Sequence, residues 1–408
     1  MSAAIDRVVV LGGGLAGGTA AFALREAGFT GSVTLVADEP HLPYERPGLS
    51  KAYLRGEEPV EKLLVRPEAD YDLEGVTLLS GHRAVAVDRT DRTVEMDDGE
   101  RLPYDRLILA TGATPRRLVT RDKDLPGIHL LRTLDDADAI RAAAAAADRV
   151  VVIGGGWIGS EVAASLRQLG ADVTLVTNLP RPLERALGPE IGDVIADLHR
   201  EHGVKLVTGQ VTGVIGEERV GGVRLGDART VDADLVVAGV GVVPRIELVL
   251  GSGLETAEGG VAVDERLQTS DPSIYAAGDV AAAQHPHLGR RLRIEHWDNA
   301  KRQGRVAARN AIGLDEPYDR MPYFFSDQFD LGIEVRGLPS PDAEVVIRGD
   351  VASRTFIAFW MEGGRVTAAL NANVWDAGKE LAAMVRQGAE VDVRRLTDPQ
   401  VPMSLVAA

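Results

Sequence analysis

The sequence contains no cysteine. Structural disulfides, thiolate metal centres and redox-active or catalytic thiols are therefore excluded from these 408 residues. No run approaches the roughly 20 consecutive apolar residues that cross a membrane. The one long uncharged stretch, Val8 to Leu24, is broken by glycines at positions 12, 13, 14, 17 and 18, and Asp6 offsets Arg7 ahead of it. A secretion signal needs a basic start and a compact apolar core, so the expectation is a cytoplasmic protein. Positive charge is in deficit: 45 Lys and Arg stand against 61 Asp and Glu, a net charge of −16. Such a molecule repels nucleic acid and anionic membranes, and neither is expected as a partner.

What is present is an ordinary globular composition, 45% hydrophobic and 26% charged, long enough for two or three domains. The stretch from Arg7 to Gly17, RVVVLGGGLAG, organises the rest. It reads as a buried strand, a glycine turn and a helix over Gly18 to Ala27. Gly12, Gly14 and Gly17 have the spacing in which the first glycine makes the turn. The second admits a pyrophosphate, and the third lets helix and strand pack closely. Amide groups at the helix start then face the phosphates. A second strand, Ser32 to Val36, leads to Asp38 and Glu39, where a ribose-binding carboxylate is expected.

The pattern repeats. RVVVIGGGWIG, from Arg149 to Gly159, copies the opening stretch, with Gly154, Gly156 and Gly159 in the same spacing. A helix over Ser160 to Leu169 and a strand over Asp172 to Val176 are expected. Two such units imply two dinucleotides, or one bound by each of two domains. The second departs from the rule at the ribose position, where Thr177 and Asn178 stand instead of an acid. Arg181 and Arg185 follow. A carboxylate there would repel a 2′-phosphate, so its absence leaves NADP open.

Other segments frame these units. Pro40 to Lys51 holds Pro40, Pro43 and Pro47 in a stiff loop with Arg46 and Lys51, leading into a helix near Leu49. Strands are expected at Val76 to Leu79 and Ala84 to Val87, followed by a hairpin from Thr93 to Arg101. A further strand ends at Gly112, and Ala113 to Arg117 reads as a linker. Two more strands end in glycine, one at Gly239 and Gly241, the other at Gly278, with Asp279 placed to accept from a sugar hydroxyl. Between Gln284 and Asn310 lie Arg290, Arg291, Arg293, Lys301, Arg302, Arg305 and Arg309 against only Glu295 and Asp298. That contrast of sign fits a docking surface for an acidic partner. In a chain only 4% aromatic, Tyr323 to Phe329 is aromatic-rich. Four expected strands (333–336, 343–347, 356–361, 366–371) and a helix from Trp375 to Gln387 then make a small α+β domain.

From about Arg7 to Trp375 the chain resembles the FAD-dependent NAD(P)H:ferredoxin reductases of bacterial cytochrome P450 and dioxygenase systems, the putidaredoxin reductase-like group. The motifs that carry the resemblance are LPYERP at 42–47 with Leu49, Ser50 and Lys51; TSDP at 269–272 with Ala277, Gly278 and Asp279; Glu295, His296 and Trp297; and FSDQ at 325–328. The resemblance implies an α/β fold: two Rossmann-type dinucleotide-binding domains plus a small α+β C-terminal domain. FAD would lie in a discontinuous domain, 1–115 and 244–323, and NAD(P)H in 116–243, with 324–408 as the C-terminal domain. It implies FAD contacts at Gly12, Gly14, Ala16, Asp38, Arg46, Lys51, Ala84, Arg132, Asp279 and Trp297. Nicotinamide contacts would be Gly154, Gly156, Ile158, Gly159 and Glu161. Gly17 and Glu39 join the first set as turn and acid. Thr177, Asn178, Arg185 and Gly241 join the second. Lys51 and Glu161 are implied as a charge pair beside the flavin. Thr177 stands where NADH-preferring relatives usually carry an acid, and Phe325 where some carry tryptophan.

The implied chemistry is electron transfer from NAD(P)H through FAD to a [2Fe–2S] ferredoxin, and indirectly to a cytochrome P450 or oxygenase. Two other readings stay open: a cysteine-free relative reducing another acceptor, such as rubredoxin or monodehydroascorbate, and a flavin-bound redox sensor. Turnover separates the sensor, which would hold its electrons and pass them slowly.

Overall fold

The computed structural model describes residues 5–118 and 125–406. They fall into two compact units. The first comprises Met1–Arg46, Pro59–Thr114 and Val242–Arg320; the second comprises Pro47–Glu58, Pro115–Gly241 and Met321–Ala408.

The first unit is centred on strand Arg7–Leu11, whose three valines and leucine are fully buried. It lies between Ser32–Ala37 and Arg106–Leu109, with Val76–Ser80 and Ile274–Ala276 at the edges, all parallel. Burial on both faces explains the unbroken apolar runs. Helix Leu15–Glu26 starts three residues earlier than expected, because Gly14 is its N-cap and the turn runs straight into it. It packs closely on helix Trp297–Ala311. A Cβ on Gly304 would come within 2.3 Å of the Ala16 carbonyl oxygen, so only glycine allows this approach. A separate antiparallel sheet, Ala84–Asp88, Thr93–Met96 and Arg101–Pro103, holds the expected hairpin.

The second unit repeats the plan. Strand Arg149–Ile153 lies between Asp172–Thr177 and Leu235–Ala238, with Lys205–Thr208 and Ile128–Leu130 outside them, again all parallel. The register matches: Arg7 faces Ser32 in one sheet and Arg149 faces Asp172 in the other. Helix Trp157–Gln168 follows the second glycine turn. The segment Pro47–Glu58 is held in this unit by hydrogen bonds. Ser165 donates to the Ser50 carbonyl at 2.7 Å, and Arg141 donates to that of Tyr53 at 2.9 Å. Its expected helix is only a 3₁₀ turn, Pro47–Ser50.

The C-terminal part of this unit is a five-stranded antiparallel sheet. Its order is Tyr323–Gln328, Leu331–Gly337, Arg365–Ala372, Thr355–Glu362, Glu344–Asp350. Alternate side chains serve two cores. Phe356, Ala358 and Trp360 meet Leu187, Ile191 and Ile195 of helix Glu184–Glu201. Ile357, Phe359 and Met361 meet Leu381, Met384 and Val385 of helix Gly378–Gln387. That helix begins three residues after Trp375. The tryptophan instead lies against the sheet, where a Cβ on Gly332 would come within 2.5 Å of its ring. The aromatic run, not recognised as a strand from sequence, is an edge strand. Ala113–Pro115, expected as linker, is a short strand. Among the described residues no helix is long and apolar enough to cross a membrane.

Candidate functional site

The first glycine turn leaves the C-terminal end of the central strand, the place where open parallel sheets bind ligands. Its glycines are required for different reasons. Gly12 has φ +118°, and a Cβ there would lie 2.1 Å from the Ala110 carbonyl oxygen. A Cβ on Gly17 would lie 1.9 Å from the Gly12 carbonyl oxygen. Gly14 has an ordinary extended backbone, and a Cβ there would meet no atom of the described residues within 4 Å. The protein itself does not need glycine at position 14. A ligand whose phosphates lie against the backbone does, so the turn fits a dinucleotide.

Around this turn the structure places Ala16, which is buried, at 3.0 Å from the Cβ position of Gly278. Gly278 has φ +81°, and Asp279 follows it. Asp38 is exposed and accepts from Arg245 Nη1 at 2.7 Å. Glu39 accepts from Arg46 Nη2 at 2.7 Å and from the Tyr44 hydroxyl at 2.5 Å. Trp297 Nε1 donates to Glu45 at 2.8 Å, and the Lys301 ammonium lies 4.8 Å from the centre of the indole. Ala84 begins its strand, half-buried. Lys51 and Arg132, assigned to FAD by the resemblance, belong to the second unit. Arg132 there donates its backbone N–H to Asp136 at 2.9 Å.

The second turn has the same geometry. Gly154 has φ +108° and would clash with Gly239. Gly159 would clash with Gly154, while a Cβ on Gly156 would meet nothing among the described residues within 4 Å. Ile158 occupies the position of Ala16 but is 45% exposed, an apolar side chain left open beside the turn. The matched register aligns Thr177 with Ala37 and Asn178 with Asp38. Thr177 is buried against Gly155, whose Cβ position is 2.8 Å from its hydroxyl, and Asn178 is exposed. Of the two arginines nearby, Arg181 is engaged by Asp193 at 2.5 Å and Glu184 at 3.5 Å, whereas Arg185 is exposed. Gly241, at φ +97°, accepts through its carbonyl from the Arg116 N–H.

Glu161 lies in the first turns of helix Trp157–Gln168 and is 3% exposed. Its carboxylate accepts from Lys51 Nζ at 2.7 Å and from Ser50 Oγ at 2.5 Å on one oxygen, and from Ser326 Oγ at 2.7 Å on the other. The Lys51 ammonium also lies 5.3 Å from the Phe325 ring centre. Burial pushes the neighbouring Asp327 carboxyl above its ordinary pKa, with Lys51 opposing and Glu161 and Glu334 reinforcing. Ser50, Ser326 and Gln328 stand in the motifs quoted above, but no sequence pattern gave them a role; His199 had no signal at all. His199 is fully buried, its pKa lowered by burial to about 4.

The cationic segment is less one-sided than its sequence. Lys301 meets Glu45 at 3.2 Å, Arg302 meets Asp298 at 3.4 Å, Arg305 meets Glu26 at 3.1 Å and Arg309 meets Glu316 at 2.5 Å. Three of these acids come from outside the window. Arg66 and Arg320 also arrive, sharing Glu26 and Asp298, so the helix face stays cationic.

Comparisons with known proteins show the family. Residues 6–304 match the pyridine nucleotide-disulphide oxidoreductase family and 323–407 the reductase C-terminal family. The chain is 38% identical over 401 residues to the anthranilate 1,2-dioxygenase system ferredoxin–NAD(+) reductase component of Burkholderia cepacia, covering 97% of this chain and 98% of that one. Among solved structures, a ferredoxin reductase for the CYP199A2 system from Rhodopseudomonas palustris has a TM-score of 0.95 at 38% identity, covering 99% and 100% of the two chains. The reductase of a covalent putidaredoxin reductase–putidaredoxin complex has a TM-score of 0.94 at 37% identity, covering 98% and 97%. The chain belongs to the pyridine nucleotide-disulphide oxidoreductase family, in its branch of ferredoxin reductases.

Proposed function

We propose that this protein passes electrons from NAD(P)H through FAD to a [2Fe–2S] ferredoxin that serves a cytochrome P450 or oxygenase. The observation that carries the reading is the pair of matching turns, in which Gly14 and Gly156 alone have no internal reason to be glycine. FAD supplies the chemistry when bound, taking a hydride from the nicotinamide and releasing electrons singly to an iron–sulfur centre.

The protein binds, orients and tunes. In this reading Gly12 to Gly17 carry the FAD pyrophosphate, with Asp38 and Asp279 as sugar acceptors. Gly154 to Gly159 carry the nicotinamide dinucleotide, and Ile158 is covered when it binds. Domains 1–115 with 244–323, 116–243 and 324–408 divide this work as FAD, nicotinamide and C-terminal parts. Lys51 and Glu161 are the charged pair that orients the reacting ring. Disulfide reduction through a protein thiol is excluded, since the sequence has no cysteine. Cytoplasmic action is part of the reading, because NAD(P)H is supplied there. The purified protein is expected to be yellow, to release FAD on denaturation, and to lose its flavin absorbance when NADH is added without oxygen. A colourless protein that FAD does not reconstitute would overturn the reading.

A further inference from the structure

Glu161 is the end point of a row of buried hydrogen bonds. Ser50 and Lys51 donate to one carboxylate oxygen and Ser326 to the other. Behind Ser326, Gln328 Nε2 donates to the Ser326 hydroxyl oxygen at 3.0 Å. Behind Gln328, His199 Nε2 lies 2.8 Å from the Gln328 Oε1. Glu161, Ser326, Gln328 and His199 are all at most 3% exposed.

The directions of these bonds are forced. A carboxylate only accepts, so Ser326 gives it its single proton and must accept from Gln328. The Gln328 amide therefore points its nitrogen at Ser326 and its oxygen at His199. His199 then carries its proton on Nε2. Its Nδ1 is left bare, and that atom is buried without a hydrogen-bond partner among the described residues. A buried acceptor without a donor is costly, and nothing local to the helix requires this tautomer. The requirement comes from Glu161, three side chains away. The row is no proton path. An amide donates N–H bonds but has no neutral-pH site from which to hand a proton on, so Gln328 interrupts any relay.

We propose that Ser326, Gln328 and His199 form a positioning arm that fixes the Glu161 carboxylate, and through it the Lys51 ammonium, in the orientation used when the nicotinamide delivers its hydride. The arm rests on the reading of Lys51 and Glu161 given above. Without Ser326 one carboxylate oxygen loses its donor, and the pair can rotate away from its working geometry.

The experiment uses the FAD-loaded enzyme and two readouts. In anaerobic stopped-flow reduction by NADH, Ser326→Ala and Gln328→Met are expected to lower the limiting rate by about tenfold, the scale of a modest misplacement. The apparent Kd for NADH should stay unchanged, and Ser326→Thr, which keeps the hydroxyl, should recover most of the rate. In ¹⁵N spectra of histidine-labelled protein, His199 should show a protonated Nε2 and a bare Nδ1. Ser326→Ala should give mixed tautomers, because Gln328 is then free to flip. A wild-type limiting rate in both Ser326→Ala and Gln328→Met, or an Nδ1-protonated His199 in the wild type, overturns the arm. Lys51→Met separates the two levels. If it is slow while Ser326→Ala is fast, the arm alone falls; if it reduces as fast as wild type, the underlying site reading falls and takes the arm with it.

Discussion

Gly12 and Gly14 are two residues apart and should fail in opposite ways. Gly12→Val places a side chain on the Ala110 carbonyl at positive φ, so it should destabilise the fold by more than about 2 kcal/mol. Gly14→Val places its Cβ where no described atom lies within 4 Å and should cost about 1 kcal/mol or less, mainly as a poorer N-cap. It should nevertheless abolish FAD retention. Urea unfolding together with flavin content tests the pair; a Gly14→Val protein that keeps FAD would show that no phosphate lies there. His199 offers a pH test. Burial, with His202 adding to it, lowers its pKa from 6.5 to about 4. The unfolded chain therefore takes up a proton that the folded chain refuses. Stability from this group is full above pH 6.5, falls as pH drops towards about 4, and is then level. At 1.36 kcal/mol per unit the loss is about 3 kcal/mol. His199→Gln, which keeps a neutral donor, should flatten the stability–pH curve over that window. An unchanged curve would mean that His199 is charged or solvated.

At the scale of elements, the βαβ units were readable because apolar runs, glycine spacing and the next strand are local signals. The register of Arg149 with Asp172 could not be read, yet it decides which residue is the counterpart of Asp38. It is Asn178, exposed at the strand end, whereas Thr177 is packed on Gly155. Asn178→Asp should therefore shift preference towards NADH by about tenfold or more, through repulsion of a 2′-phosphate. Wild-type preference that already excludes NADPH, or a variant with an unchanged NADPH to NADH ratio of kcat/KM, would contradict this assignment. The partners of Glu161 were hidden for a related reason. Ser50, His199 and the strand carrying Ser326 and Gln328 come from three places along the chain, and only tertiary packing brings them together. Trp375 shows the reverse case: the expected helix included it, but its ring lies over Gly332 of the sheet and the helix starts at Gly378.

At the scale of the molecule, a chain of net charge −16 needs a local region of opposite sign if its ferredoxin is also acidic. A local cationic face on helix Trp297–Ala311 would give an acidic partner a place to approach. Arg302 and Arg305 are more than half exposed although each touches one carboxylate. Reversing both to Glu should raise the apparent KM for ferredoxin and weaken its salt dependence, while FAD content and reduction by NADH change little. Equal ferredoxin kinetics in the double variant and the wild type would place docking elsewhere. The central claim is electron delivery itself. Its most direct test is anaerobic reduction of a purified [2Fe–2S] ferredoxin of the P450 or dioxygenase type, with catalytic FAD-loaded protein and excess NADH. Electron delivery requires many turnovers of ferredoxin per flavin, lost in Gly156→Val although FAD stays bound. A flavin that NADH reduces readily, but that passes no electrons to any such ferredoxin above background, would contradict it.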